Sequence, residues 1–235
     1  MTVEEFSNEF DTLFNLSNNI DINLNEYEKS VFLTKAQEEI LLSYYNGTNS
    51  KQEGYDASEE IRRYLNALNL YIIINPFKKI QDKEAKYGNL ITNSEHYFDY
   101  IISLPDDVWF ITLETIKINS DDKCLANKRL EVVPITQDEF HRIINNPFRG
   151  VNERRALRIE TDTNKIELIC KYKDYNYYLY YVSKPSPIIL TNIGDLSING
   201  ISIKQECKLH EALHRPILQR AVQLALISKG LMKQQ

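Results

Sequence analysis

The sharpest chemical pattern in the chain is His210-Glu211-Ala212-Leu213-His214. Two histidines one helical turn apart can hold zinc while the intervening glutamate activates a water. A catalytic zinc needs a third protein ligand, and no Asp, Glu, His or Cys follows His214. Cys207 or Glu206 would have to serve from upstream, which is not the arrangement of that protease class. Pro216 is expected to break or restart the helix that would hold both histidines in register. The pattern therefore reads better as a polar turn leading into the C-terminal helix. A structural zinc on Cys207, His210 and His214 is no better supported.

The second pattern is a run of guanidiniums, Arg142, Arg149, Arg154, Arg155 and Arg158, around the stretch NNPFRG at 145–150. Clustered arginines can grip phosphates. Asp138, Glu139, Glu153 and Glu160 are interleaved with them, so ion pairing within the chain or across a subunit boundary competes with that reading. His141 has Asp138 three residues earlier but no nearby Ser or Cys to activate. Phosphate-cradling glycine loops and a GxSxG elbow are missing, and only seven glycines are available to build such features. A net charge of −5 argues against a protein that coats nucleic acid by bulk electrostatics. No catalytic residue and no cofactor emerge from the residues.

The elements that must position these groups change character along the chain. The first third reads as helical. Thr2 and Glu5 form a capping box ahead of Phe6, Phe10, Leu13 and Phe14. A second helix is predicted over 25–46, with Tyr27, Val31, Ala36, Ile40 and Tyr44 as its apolar face and Gly47 as its stop. Asp56 with Glu59 is expected to cap a third, carrying Ile61, Leu65 and Leu68. Residues 70–74, 97–104, 108–118, 129–135, 157–160, 165–172 and 177–183 are rich in Ile, Val, Tyr and Phe and predict strands. Short connections favour antiparallel pairing. One helix interrupts them, started by a Thr136–Glu139 capping box. The polar span 76–93 reads as a projecting loop, and Trp109 as core. Asn199-Gly200 signals a two-residue hairpin. The final helix should carry Pro216 in its first turn and end at Gly230, and its broad apolar face must be buried in the chain or by a neighbouring subunit.

The fold class predicted is α+β: N-terminal helices, a mainly antiparallel β region with one inserted helix, and a C-terminal helix. One structural unit is expected, with a helical part over 1–69, a β-rich part over 70–207 and the last helix over 208–235. Three widely spaced cysteines, Cys124, Cys170 and Cys207, suggest buried or indifferent thiols rather than a disulfide framework. The apolar runs are far too short to span a bilayer, and the first residues do not form a signal peptide.

Five stretches carry a resemblance: EYEKSVFLTKAQEEI at 26–40, VPITQDEF at 133–140, NPFRG at 146–150, SKPSPIIL at 183–190 and LHRPILQRAVQLA at 213–225. In this order and spacing they resemble a structural protein of crAss-like phages, the short-tailed phages of gut Bacteroidales. The resemblance implies a virion protein, a ring-forming subunit of the head–tail connector or tail, assembled in the host cytoplasm. Its partners would be identical subunits in a closed ring, commonly twelve, with the portal protein and other tail or ring proteins above and below. Genomic DNA would pass without specific binding, and no membrane would be involved. Interface roles fall on Arg149, Arg154, Arg155 and Arg158, on Lys184, Pro185 and Pro187, and on Ile217 and Arg220, each with internal packing as the alternative. The rival functions are the zinc metalloprotease and a DNA-contacting module.

Overall fold

The computed structural model describes residues 1–16, 23–49, 52–76, 97–120, 124–126, 128–144 and 146–230. Most of the expected loop at 76–93 lies outside them. In chain order the elements are α1 (Val3–Leu16), α2 (Glu26–Asn46), α3 (Glu59–Leu65), β1 (Asn69–Ile74), β2 (Phe98–Ser103), β3 (Val108–Ile118), β4 (Arg129–Ile135), α4 (Phe140–Ile144), β5 (Arg155–Asp162), β6 (Lys165–Cys170), β7 (Tyr175–Ser183) and α5 (Glu211–Ser228). They form two compact units, one of Met1–Leu68 with Lys184–Gln235, the other of Asn69–Ser183.

In the helical unit the sequence signals for helix starts act as expected. Thr2 and Glu5 cap each other reciprocally, and α1 buries Val3, Phe6, Phe10 and Phe14. Asn25 and Glu28 form a second capping box for α2, which ends at Gly47 in the left-handed region, φ 73°. The third helix differs. Its N-cap is Ser58 rather than Asp56, and no side chain bonds its first turn.

The buried face of α2 also differs from the apolar stripe expected. It consists of Lys29, Ser30, Leu33, Thr34, Ala36, Gln37 and Leu41, so that of the expected stripe only Ala36 is buried, while Tyr27, Val31, Ile40 and Tyr44 are half-buried. The reason lies in residues 186–190, an extended segment that needs partners for its backbone. Gln37 donates to the Ser186 carbonyl at 2.8 Å. The Ile188 amide donates to the Thr34 hydroxyl at 3.1 Å, and the Leu190 amide to the Ser30 hydroxyl at 3.0 Å. On the opposite edge, Ile189 and Gln205 exchange backbone bonds of 3.0 and 2.9 Å. A polar ladder at i, i+4 and i+7 thus replaces a neighbouring strand.

The last helix, α5, lays Leu213, Ile217, Leu218, Ala221, Val222, Ala225 and Leu226 against α2 and α1. Its apolar face is therefore buried within the chain. Pro216 is not in the first turn but inside the helix, which His210 caps. The missing proline N–H leaves the Ala212 carbonyl without its intrahelical donor, and Ala212 is exposed, so water can supply the bond. Asn199 and Gly200 both have positive φ (51° and 80°), and Ile198 pairs with Ile201 across them, as the hairpin signal requires.

The second unit is a curled seven-stranded sheet in the order β1-β7-β3-β4-β5-β6-β2. Its strands lie where the β-branched and aromatic runs predict them. Five pairings are antiparallel, and β4 with β5 is parallel. That exception follows from the inserted helix, because a crossover returns the chain in the same direction. On the concave side all seven strands contribute to one core that includes Ile74, Ile102, Ile116, Leu130, Ala156, Leu168, Tyr175 and Tyr177. On the convex side Phe140 and Ile143 of α4, with Val151, cover Leu157, Ile159 and Ile169. Thr136 opens a turn closed by the Glu139 amide at 3.2 Å, and the helix begins only at Phe140. Trp109 is half-buried against Phe110 rather than core. Cys170 is buried, Cys207 half-buried and Cys124 exposed.

Candidate functional site

The histidines of the HExxH pattern do not face a common point. His210 is the N-cap of α5, and its Nδ1 accepts the Ala212 amide at 3.2 Å, while its ring packs on Tyr64 at 5.2 Å. His214 lies one turn inside the helix and is buried. The Met1 amino group donates to its Nδ1 at 2.7 Å, so the other nitrogen, Nε2, carries the proton that reaches the Leu209 carbonyl at 3.0 Å. Burial holds this imidazole below its usual pKa, and the Met1 ammonium acts in the same direction against the Leu209 carbonyl. Cys207 lies 3.6 Å from the Gln37 side-chain oxygen. Among the described residues no three His, Cys, Asp or Glu side chains converge on a metal position. The cleft beside His210, about 390 Å³, is lined by Glu59, Glu60, Arg63 and Tyr64, whose charges are spent on one another: Arg63 bonds Glu59 at 2.7 Å and Tyr64 bonds Glu60.

The arginines that are close in sequence separate in space. Arg142 pairs with Glu139 within one turn. Arg155 donates to the Phe148 carbonyl at 2.8 Å and lies 3.8 Å from Glu131. Arg158, on the concave face, is 7% exposed and bonds Glu114 at 3.0 Å and Glu160 at 2.8 Å. Tyr177 donates to the second oxygen of Glu114 at 2.7 Å. Sequence reasoning missed Glu114, the single carboxylate of β3, and its place among mostly apolar strand residues was the available signal. Burial raises its pKa, while Arg158 and Tyr177 pull it down. Burial and the adjacent carboxylate push the Tyr177 phenol far up. The neighbouring cleft of about 470 Å³, lined by Pro134, Ile135, Thr136, Gln137, Glu139, Arg158 and Glu160, has its main charges in this network. Its groups position one another and offer no nucleophile with a base.

Of the other residues singled out from the sequence, Pro185, Pro187 and Ile217 are buried within their own unit. Arg220 ties α5 to α2 through Glu39 at 2.8 Å. Lys184 is exposed, 3.8 Å from Glu38. Arg149 and Arg154 are exposed. Beside Arg149 stands Phe148, 85% exposed. Its turn is braced. Asn146 Oδ1 accepts the Phe148 and Arg149 amides at 2.9 and 3.1 Å, and the Gly150 amide bonds the Asn146 carbonyl at 2.7 Å. Across the sheet, the convex face of β1, β7 and β3 shows Tyr71 (67% exposed), Ile73 (50%), Leu113 (56%) and Tyr180 (38%), with Tyr71 stacked on Tyr180.

The charged groups of the two clefts are engaged in pairs, and a group of apolar side chains stands exposed on one sheet face and on the Phe148 turn. Comparison with known proteins decides the class. The family model described as phage tail ring protein 3/4 matches residues 1–235. The chain belongs to this family. It is 41% identical over 233 residues to "Ring protein 3" of Bacteroides phage crAss001, covering 97% of this chain and 96% of that protein. It is also 35% identical over 244 residues to "Ring protein 4/5" of the same phage, covering 96% and 92%. The resemblance read from the five sequence stretches is thus met: this is a crAss-like phage ring structural protein. For a ring family, the exposed Phe148 turn and the open convex face are the features of interest, and neither was picked out as such from the sequence. Among the described residues no helix is long and apolar enough to cross a membrane.

Proposed function

We propose that the chain is a non-enzymatic, ring-forming subunit of the portal–tail connector of a crAss-like phage. Identical copies close around the DNA exit channel, with twelve copies as the expected number. The portal protein and other ring or tail proteins are its axial partners. The observation that carries this reading is the full-length match to a ring protein family, with two relatives named as ring proteins. The higher identity to "Ring protein 3" favours a comparable position in the stack. The physics supports it. Buried Lys29 and Arg158 are held in structural ion pairs, the exposed apolar side chains suit protein contacts, and a net-negative subunit lets DNA pass with little phosphate attraction.

Cryo-electron microscopy of the intact virion tests this. The expected result is symmetric density between head and tail into which both units of the chain fit. Virions that lack the chain would overturn the structural reading, and density elsewhere in the particle would overturn the connector position.

A further inference from the structure

A closed ring is built from a head-to-tail contact, so each subunit must carry two unlike surfaces that match each other. We infer that, in the ring, the Phe148 turn of one copy seats on the Tyr71–Ile73–Leu113–Tyr180 face of the next copy. This rests on the ring reading above and adds the contact that closes it.

Both surfaces belong to the sheet unit, at separate places in its strand order: the face lies on β1, β7 and β3, and the turn lies between β4 and β5. A subunit can therefore give its turn to one neighbour and its face to the other. The turn is a preorganised knob. Asn146 and Arg155 fix its backbone, and Gly150 leaves no room for adjustment, since a Cβ there would meet the Asn146 carbonyl oxygen at 2.7 Å and the Ile144 oxygen at 2.8 Å. Little entropy is then lost when an aromatic ring already held outward is buried. The receiving face is aromatic and aliphatic, with Tyr71 and Tyr180 stacked at 5.8 Å, a composition enriched in interface cores. Charge selects the pairing. Arg149 and Arg154 flank the knob, whereas Asp106 and Asp107, both exposed, precede β3, where Asp106 accepts from Asn164 at 2.7 Å and Asp107 from Tyr181 at 3.3 Å. On the described convex face the strands β1, β7 and β3 present a single cation, Lys117, near the far end of β3. A knob-to-knob contact would bring arginines together, so a second copy docks by its turn and not by the same face.

Cysteine cross-linking in phage particles carrying the variant chain tests this, in a Cys124→Ser background. The substituted positions are exposed, and the unfolding curve of each purified variant checks that it folds. Particles whose chain carries both Arg149→Cys, which leaves the Phe148 ring in place, and Ile73→Cys should give, on oxidation, a ladder of covalent multimers reaching the full ring. Particles with either substitution alone should give monomers only. Phe148→Ala should reduce incorporation about tenfold or more relative to the unmodified chain, as removal of a central aromatic anchor does. If the chain is incorporated but the double variant stays monomeric, the contact is overturned and the ring reading stands. Covalent dimers from Ile73→Cys alone would show face-to-face pairing and also overturn it. Protection of Tyr71 and Tyr180 from hydroxyl-radical labelling in the isolated monomer would mean the face is covered from within the chain, and the contact would fall on that result too. Absence of the unmodified chain from particles would instead remove the ring reading itself.

Discussion

The two halves of the sheet share a core on their concave side and differ on the convex one. Over β4, β5 and β6 the convex side chains Leu157, Ile159 and Ile169 lie under α4 and are fully buried. Over β1, β7 and β3 the equivalent positions Tyr71, Ile73, Leu113 and Tyr180 are open. Both halves are built from the same kinds of residue. What separates them is the crossover: only a parallel pair needs a long connection, and here that connection is a helix laid on the sheet. An apolar sheet face is therefore not by itself a fold requirement. Among the described residues, it becomes core where the topology supplies a helix and stays exposed where it supplies none.

The largest expected effect is at the junction of the halves, where Arg158 on β5 reaches Glu114 on β3. Arg158→Met should cost about 3–5 kcal/mol in urea unfolding, because it leaves a buried carboxylate without its cation. Burial already raises the Glu114 pKa above its ordinary 4.5, and loss of Arg158 removes the chief opposing influence. The folded state of the variant then holds its proton more tightly than the unfolded state. Its stability should be greatest near and below pH 4.5 and should fall as pH rises through the folded pKa. A variant with flat stability from pH 4 to 8 would show that the junction is not a buried pair. In the covered half, Phe140→Ala should cost about 3–5 kcal/mol as a cavity opens between α4 and the sheet. Gly150→Ala, on the crossover within the covered half, should cost about 1–3 kcal/mol, since backbone oxygens must yield to the new Cβ. Tyr71→Ala and Ile73→Ala in the open half should shift monomer unfolding by no more than about 0.5 kcal/mol. A loss at Tyr71 as large as that at Phe140 would erase the distinction between the halves.

The strands were legible because β-branched and aromatic runs are long and separated by turn residues, and α2 was legible from its apolar periodicity and Gly47, while its Asn25–Glu28 capping box was not picked out. The parallel pair was not, because pairing direction depends on where a crossover lands rather than on any strand's own residues. The buried side of α2 departs from its apolar stripe for a physical reason. Apolar periodicity assumes an apolar neighbour, and here the neighbour is the backbone at residues 186–190, which selects Ser30, Thr34 and Gln37. Pro216 departs likewise, since an exposed carbonyl at Ala212 makes an interior proline tolerable. Of the groups with chemical promise, the arginines were found, but their partition between Glu114, Glu131 and solvent was set by strands far apart in the chain. The open face was invisible because exposure is a property of what fails to pack on a strand.

The stitching of residues 186–190 to α2 sets the order in which the chain can mature on the ribosome. The helical unit is made of Met1–Leu68 and Lys184–Gln235, while the sheet unit between these two pieces is continuous in sequence. At roughly 5–20 residues per second, the time between the emergence of α2 and of its partner segment is on the order of ten seconds. During that interval Ser30, Thr34 and Gln37 have no extended segment to hold, and the sheet unit can close first. A nascent chain cannot complete its helical unit early, so truncated products would carry a finished sheet unit and an unfinished helical one. Only chains translated through α5 can complete both units.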